Sequence, residues 1–302
     1  LQNLSMKRED FDYLKLHLSV LLAGFTGLLG KIISLNEVAI VWYRMILSFI
    51  FFAVILVLTN KRPVEKPKEI LKFFGLGVLL CVHLMFFFGS IKYATVSVGA
   101  VCYSLVGFFT VMFEPIILKK KFSVRELLYS LIAVGGIGLI FNFDISYRFG
   151  IILGIISAAL FSLYTIFTQV VEVGKSARIM LFYELLGGGI FMSVFLPIYR
   201  IFDSSMQIVP TSIDWLWIII LSFFCTVFLY LLHISVLKTL SAFTVSLTGN
   251  LEPIYCIIFA MIFLGEAHNM TIPFYIGMSL IIVSVFLQSF AKLKTQNKKA
   301  LR

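Results

Sequence analysis

Ten long apolar stretches, most of them joined by short connections, constrain this chain more than any other feature. A helix needs about 20 apolar residues to cross the hydrocarbon core of a membrane. The stretches of this length cover residues 14–34, 37–59, 70–90, 95–117, 123–142, 149–170, 178–198, 214–236, 240–264 and 272–291. Barrel strands are excluded because they are shorter and alternate in polarity, and lipid offers no partner to an open sheet edge. The sequence therefore predicts an all-α polytopic membrane protein with ten transmembrane helices.

Composition agrees with a membrane location. Of the 302 residues, 60% are hydrophobic and 13% are charged, whereas a soluble domain has about 45–50% apolar and about 25% charged residues. The first apolar stretch is too long for a cleavable signal peptide, and others follow it. All four cysteines lie inside apolar stretches without a CxxC spacing. We therefore expect no disulfide framework, no metal site and no cofactor.

The lysines and arginines indicate how the chain is oriented. If the N-terminus is cytoplasmic, 20 of the 25 basic residues lie on the cytoplasmic side and three on the other side, namely Lys92, Arg148 and Arg200. Such an excess marks the cytoplasmic face. This distribution predicts that both termini are cytoplasmic. It also explains the net charge of +10 without a nucleic-acid partner.

The connection near residues 143–148 divides the chain into two halves of five helices. An odd number of helices makes the second half enter the membrane from the opposite side, as in inverted-repeat transporters. We expect a cytoplasmic segment over 1–13, five-helix repeats over 14–142 and 149–291, and a basic cytoplasmic tail over 292–302. Superposing 91–141 on 237–287 without gaps gives only six identities in 51 pairs. The repeat is therefore predicted by hydropathy and topology rather than by identity.

The last quarter of the chain resembles a known family. Residues 225–287 contain Leu251-Glu252-Pro253, Leu264-Gly265-Glu266 and Gly277 at spacings similar to those of the EamA-type domain of the drug/metabolite transporter superfamily. The first half departs from this pattern, with Gly107 in place of the proline and Lys119-Lys120 in place of Gly-Glu. Lys31 and Arg44 lie at places that resemble family positions.

This resemblance implies ten helices, two EamA-like repeats, cytoplasmic termini and transport of small solutes. We expect a secondary transporter with alternating access in a bacterial cytoplasmic (inner) membrane. Its partners are then a small-molecule substrate and the lipid bilayer, with a proton as a candidate coupling ion and the oligomeric state left open. The resemblance does not identify the substrate, which we expect to be an amino-acid-like, nucleotide-like or other amphipathic solute.

Charged residues within the predicted helices are the first candidates for substrate binding, because charges at membrane depth are expensive and mark functional sites. Lys31 and Arg44 lie toward the outer side and are suited to bind a carboxylate or phosphate. Glu184 lies about two turns into its helix, as Arg44 does, and the pair suits a zwitterionic substrate. The alternatives are that Lys31 extends to the membrane interface and that Glu184 forms an ion pair or a helix cap.

A second group of candidates surrounds Pro253. Proline removes a backbone donor and frees a carbonyl, and interrupted helices near the midplane recur at transporter binding sites. Asn250 and Glu252 precede this proline and are therefore predicted to bind substrate. Glu252 is also a candidate proton carrier. Alternatively, Glu252 satisfies the backbone of a kinked helix.

Histidines and tyrosines complete the predicted site. His83 and His233 lie within predicted helices, and histidine titrates near neutral pH, so either is suited to couple transport to protons. Tyr103 and Tyr164 lie near mid-helix and are candidates to line a cavity. The alternative is that all four are packing residues.

Three other functions compete with transport. An intramembrane protease requires paired aspartates within the membrane, but the aspartates lie in tails, loops or helix ends, and no HExxH or GxSxG motif is present. A channel requires a polar helix face or a selectivity loop, and neither is evident. A non-transporting scaffold requires none of the buried charges. We expect a transporter and no enzyme, with the channel and the scaffold as alternatives.

Overall fold

A computed structural model of the chain describes residues 2–60, 63–119, 121–143, 145–172, 175–236, 248–249 and 251–300. The first half contains α1 (Gln2–Ile32), α2 (Glu37–Leu58), α3 (Pro67–Tyr93), α4 (Val96–Tyr103), α5 (Val106–Leu118) and α6 (Val124–Phe143). The second half contains α7 (Arg148–Glu172), α8 (Ala177–Phe202), α9 (Ser212–Ser222), the π-helix Phe223–Phe228, α10 (Leu229–Val236), α11 (Glu252–Phe263) and α12 (Ile272–Ala300). The described residues contain no strand, so the predicted all-α class is confirmed.

The helices follow the predicted apolar stretches. Eight described segments are long and apolar enough to cross a membrane, and Glu252–Phe263 and Ile272–Leu287 are shorter apolar helices. Helix α1 begins at Gln2 and α12 ends at Ala300, so both extend beyond the expected bounds of 14 and 291. Hydropathy identifies the apolar part of a helix, but it does not detect polar turns that extend the helix at either end.

Two stretches predicted as single helices depart from regular α-helix. The 95–117 stretch is interrupted between α4 and α5. The 214–236 stretch contains the π-helix between α9 and α10, although Phe223–Phe228 includes neither glycine nor proline. The predicted 240–264 stretch is described only from Thr248, with residue 250 omitted.

Helices α5 and α11 occupy equivalent places in the two halves. Helix α5 begins at Val106 and α11 begins at Glu252, an interval of 146 residues that equals the offset used above to superpose the halves. A left-handed residue follows each helix, and the two are separated by the same interval: Lys119 with φ 52° comes directly after α5, and Gly265 with φ 64° comes two residues after the last residue of α11. The two halves therefore share backbone geometry where their side chains differ.

Glycines allow close contact between helices from different halves. A Cβ on Gly136 of α6 would lie 2.6 Å from the carbonyl oxygen of Gly277 on α12, and the reverse distance is also 2.6 Å. A Cβ on Gly77 of α3 would lie 2.1 Å from the carbonyl oxygen of Glu184 on α8. Small residues permit such backbone contact in membranes, and here they fix how the halves pack.

We expect Gly136→Ala to lower thermal stability by about 1–3 kcal/mol, because its methyl group must displace α12. A Cβ on Gly135 would have no described atom within 4 Å, so Gly135→Ala is the matched control. That control is expected to be neutral or stabilising, since alanine favours helix. Melting of both variants in detergent tests this contact, and equal melting temperatures would contradict it.

We expect Lys119→Gly to raise stability by about 1 kcal/mol, since a left-handed conformation strains a residue that has a Cβ. Lys121→Gly is the control, because Lys121 is an exposed neighbour without a positive φ. The two variants lose the same charge, so their difference in melting temperature measures the backbone strain. No gain for Lys119→Gly over Lys121→Gly would show that position 119 is unstrained.

Candidate functional site

A cavity of about 240 Å³ lies between helices of both halves. Helices α1, α2, α3, α4, α7, α8, α10 and α11 and the π-helix all contribute to its lining. Of the nine residues predicted to bind substrate, six line this cavity: Arg44, His83, Tyr103, Tyr164, Glu184 and Glu252. The structure therefore brings together most of the residues that the sequence predicted to bind substrate.

Arg44 is a buried cation in this cavity. It lies seven residues after the start of α2, and only 8% of its surface is exposed. Its Nε donates to Thr226 Oγ1 at 3.0 Å, and its Nη2 donates to the Cys225 carbonyl at a long 3.4 Å. Its Nη1 is buried and has no hydrogen-bond partner among the described residues. A buried charged donor without an acceptor is costly, so this atom is suited to an incoming acceptor.

Glu184 holds the equivalent place on α8. It lies seven residues after Ala177, the first residue of that helix, and is 1% exposed. Tyr164 donates its hydroxyl to Glu184 Oε2 at 3.1 Å. The contact of Gly77 with the Glu184 carbonyl fixes the backbone at the same level. The cavity therefore has a carboxyl group on one half and a guanidinium on the other.

His83 lies among aromatic rings on one side of the cavity. Its Nδ1 is 3.0 Å from the carbonyl oxygen of Ser157. Ser157 Oγ lies at the same 3.0 Å from Nδ1. Because the carbonyl accepts and the hydroxyl is able to donate, these two contacts suit either tautomer of the ring. The ring centroid lies 4.7 Å from that of Phe161 and 6.1 Å from that of Tyr103. This surface is suited to an apolar group.

Glu252 is the first residue of α11, and Pro253 follows it in the first turn. The sequence predicted a broken or kinked helix at this point. In the structure Leu251 lies in a turn and α11 begins at Glu252, so the described residues show a break. Pro253 lies in the first turn of α11, where the missing backbone N–H costs no intrahelical hydrogen bond. Asn250, which was predicted beside it, lies outside the described residues.

Lys31 and His233 lie outside the cavity lining. Lys31 Nζ donates to the carbonyls of Ile91 and Ala94 at 2.9 and 3.0 Å, which places its charge at the C-terminal end of α3. His233 Nδ1 lies 3.4 Å from Ser19 Oγ. Both were predicted to bind substrate, but the structure gives Lys31 a capping contact and His233 a contact with α1. Hydropathy gives the depth of a residue and not the side of the helix on which it lies.

Polar contacts join the helices at the end of the bundle that contains Ser34, here called the Ser34 end. Lys92 of α3 donates to the carbonyl of Ile33, so α1 and α3 cap each other. Glu266 accepts the backbone N–H groups of Val96 and Ser97 at 2.8 and 2.9 Å, at the start of α4. The glutamate of the Leu-Gly-Glu motif therefore caps a helix of the other half.

Ser34 itself is held by Asp214. Asp214 accepts the backbone N–H of Ser34 at 2.7 Å and its hydroxyl at 2.6 Å, and it also forms the capping box of α9 with Thr211. The α1–α2 turn is thereby tied to the start of α9.

The opposite end contains Pro63 and is here called the Pro63 end. The hydroxyl of Tyr183 donates to the Pro63 carbonyl at 2.6 Å, and Lys175 pairs with Glu65 at 3.3 Å. The cavity thus lies between two ends that are joined by side-chain contacts.

The sequence analysis missed most of the apolar lining of the cavity, including Phe87 and Phe161, and it also missed the hydroxyl of Thr226. Nothing in the sequence distinguishes these two phenylalanines as cavity residues, because the chain has 32 phenylalanines. Thr226 had a weak signal, since Arg44 in an apolar helix requires a polar partner on a neighbouring helix. Which helix supplies that partner depends on tertiary packing.

Comparisons with known proteins agree with this architecture. The profile of the EamA-like transporter family matches residues 12–142 and 148–290. A solved crystal structure superposes on 93% of this chain and 98% of its own chain, with a TM-score of 0.63 and 14% identity, which indicates a shared fold. A search of curated protein sequences gave no significant match.

Lys31→Met tests the capping role that the structure gives to Lys31. We expect a loss of about 1–3 kcal/mol of stability, because two helix-terminal carbonyls lose a charged donor. Lys72→Met on α3 is the control, since Lys72 is exposed and its i,i+3 pair with Glu69 contributes little. A melting temperature equal to that of Lys72→Met would argue against the capping contact.

Proposed function

Because the chain belongs to the EamA-like transporter family, we propose that it is a secondary transporter of a small metabolite in a bacterial cytoplasmic membrane. The observation that carries this proposal is the buried Arg44 guanidinium, whose Nη1 lacks an acceptor among the described residues in a cavity between the halves. Intramembrane charges that face an internal cavity are typical of substrate pathways. A bound anionic group supplies the missing acceptor.

We propose ten transmembrane helices in two inverted repeats, with both termini in the cytoplasm. The equal spacing of α5 and α11, and of the left-handed residues that follow them, supports the repeat. The excess of lysine and arginine near the Pro63 end supports a cytoplasmic location for that end. The Ser34 end then faces outward.

Alternating access follows from this arrangement. In inverted-repeat transporters the substrate lies near the midplane, and the repeats move to open one side and then the other. The cavity lies between the halves, and polar contacts join the helices at both of its ends. Breaking the contacts at one end while keeping those at the other exposes the cavity to one side at a time.

For the substrate we propose a small zwitterion with an apolar body. Arg44 is suited to its carboxylate, and Glu184 with Tyr164 to its ammonium group, while His83 and Phe161 contact the apolar body. A volume of about 240 Å³ is smaller than the roughly 300–1,000 Å³ of drug-sized sites. This size favours an amino-acid-like solute over a nucleotide.

Glu252 and His83 are the groups that we propose for proton coupling. Both line the cavity, and both change charge when they bind a proton. The carboxyl group of Glu252 lies near enough to Arg44 for electrostatic interaction. A proton on Glu252 therefore alters the charge that the substrate meets.

A channel or a non-transporting scaffold remains the alternative function. The charge-lined cavity between the halves favours a carrier over a scaffold, since buried charges destabilise a purely structural bundle. Saturable flux in proteoliposomes distinguishes the three. A carrier saturates, a channel does not saturate readily, and a scaffold gives no flux.

The first experiment is a thermal-shift screen of purified protein with amino acids, nucleosides, nucleotides, organic acids and quaternary amines. A ligand at about 100 times its Kd stabilises the fold by about 2.7 kcal/mol. We expect stabilisation by amino-acid-like zwitterions and its loss in Arg44→Met. Lys31→Met is the matched control, since it removes a cation outside the cavity lining and keeps the response.

Two results would contradict the proposal. Equal stabilisation of wild-type protein and Arg44→Met by the same ligand would show that Arg44 does not bind that ligand. No stabilisation by any class in a well-folded sample, together with no flux, would favour the scaffold.

A further inference from the structure

The π-helix Phe223–Phe228 interrupts a membrane-spanning segment beside the cavity. A π-helix bonds each backbone N–H to the carbonyl five residues earlier, and single turns of this kind are frequent at functional sites. Side chains of α2 donate to backbone carbonyls at this segment.

Two side chains on one face of α2 bind carbonyls of this segment. Ser48 Oγ donates to the Ser222 carbonyl at 3.1 Å, and Arg44 Nη2 donates to the Cys225 carbonyl at 3.4 Å. Residues four apart lie on the same face of a helix. Helix α2 therefore satisfies the π-helix through a pair of neighbouring side chains.

Thr226 links Arg44 to the same segment. Its hydroxyl donates to the Leu221 carbonyl at 3.0 Å. A hydroxyl has one proton and two lone pairs, so with the proton committed to Leu221 its oxygen accepts from Arg44 Nε at 3.0 Å. The hydrogen-bond chain thus runs from the guanidinium through the hydroxyl to the backbone.

The guanidinium is planar, so fixing two of its nitrogens fixes the third. With Nε on Thr226 and Nη2 on Cys225, the direction of Nη1 is determined. Nη1 is also the nitrogen without an acceptor among the described residues. The π-helix thus determines which donor of Arg44 remains available to substrate.

We propose that Thr226 is a positioning residue, which orients Arg44 for substrate through the π-helix while Arg44 in turn holds the π-helix in place. The inference rests on the proposed role of Arg44 in substrate binding. Its test uses the protein without substrate, so its failure is distinguishable from a failure of the transport proposal.

The test compares Thr226→Val, Thr226→Ser and Thr165→Val. Valine keeps the shape of threonine and removes the hydroxyl, whereas serine keeps the hydroxyl. Thr165 of α7 is the matched control, because its hydroxyl donates to the Phe161 carbonyl one turn earlier in its own helix. Two quantities are measured by mass spectrometry: amide hydrogen exchange over residues 221–230, and the rate at which phenylglyoxal modifies Arg44.

In Thr226→Val we expect both rates to rise by about tenfold, because a hydrogen bond to a charged group is lost. Thr226→Ser and Thr165→Val are expected to stay within about twofold of wild type. A purely structural role for Thr226 would change exchange without changing Arg44 reactivity. Unchanged Arg44 reactivity in Thr226→Val, or a failure of serine to restore it, would overturn the proposal.

A second variant covers the case in which Thr226→Val does not fold. Arg44→Lys keeps the charge but cannot bind Thr226 and Cys225 through a planar fork. We expect faster exchange over residues 221–230 in this variant, again by about tenfold. Exchange at the wild-type rate would show that the π-helix does not depend on Arg44.

Discussion

Backbone groups in lipid must find partners within the protein, and this requirement explains where the polar residues of the chain lie. Regular helix satisfies it without help over most of the described length. It is interrupted between α4 and α5, at the π-helix Phe223–Phe228, and before Glu252. All three interruptions contribute residues to the cavity or adjoin those that do. Arg44 and Thr226 both satisfy backbone and face the cavity, because each donates to a backbone carbonyl in the π-helix or just before it and each lines the cavity.

The two halves share a backbone plan and differ in charge. Helices α2 and α8 each carry an ionisable residue seven positions after their first residue, Arg44 on one and Glu184 on the other. A symmetric pair of like charges at these places would repel and would favour a symmetric ligand. Opposite charges give the cavity two chemically distinct sides, so that a solute with distinct ends binds in one orientation. The repeat places the two residues at equivalent positions of their helices, and the divergence of the two halves gives these residues opposite charges.

The sequence predicted the helices from hydropathy, and it predicted the charged residues of the cavity because charge is rare and costly in apolar helices. Arg44, Glu184 and Glu252 were identifiable on that ground alone. Lys31 was assigned to substrate by the same reasoning, and the structure shows that a lysine also caps the end of a neighbouring helix. The π-helix escaped prediction because it depends on donors from α2, which are distant in sequence.

The strongest argument against a purely structural bundle is energetic. Replacing a buried ionic group by a well-packed apolar one is often neutral or stabilising, so a scaffold gains nothing from Arg44 and Glu184 in the same cavity. Both are more than nine-tenths buried, and close backbone contacts, such as that of Gly77 of α3 with α8 and that of Gly136 of α6 with α12, hold the helices of the bundle together. A bundle that packs this tightly elsewhere has no need for a charged cavity to maintain its fold. The cavity is better explained as a site whose cost in stability is offset when a solute with matching charges enters it.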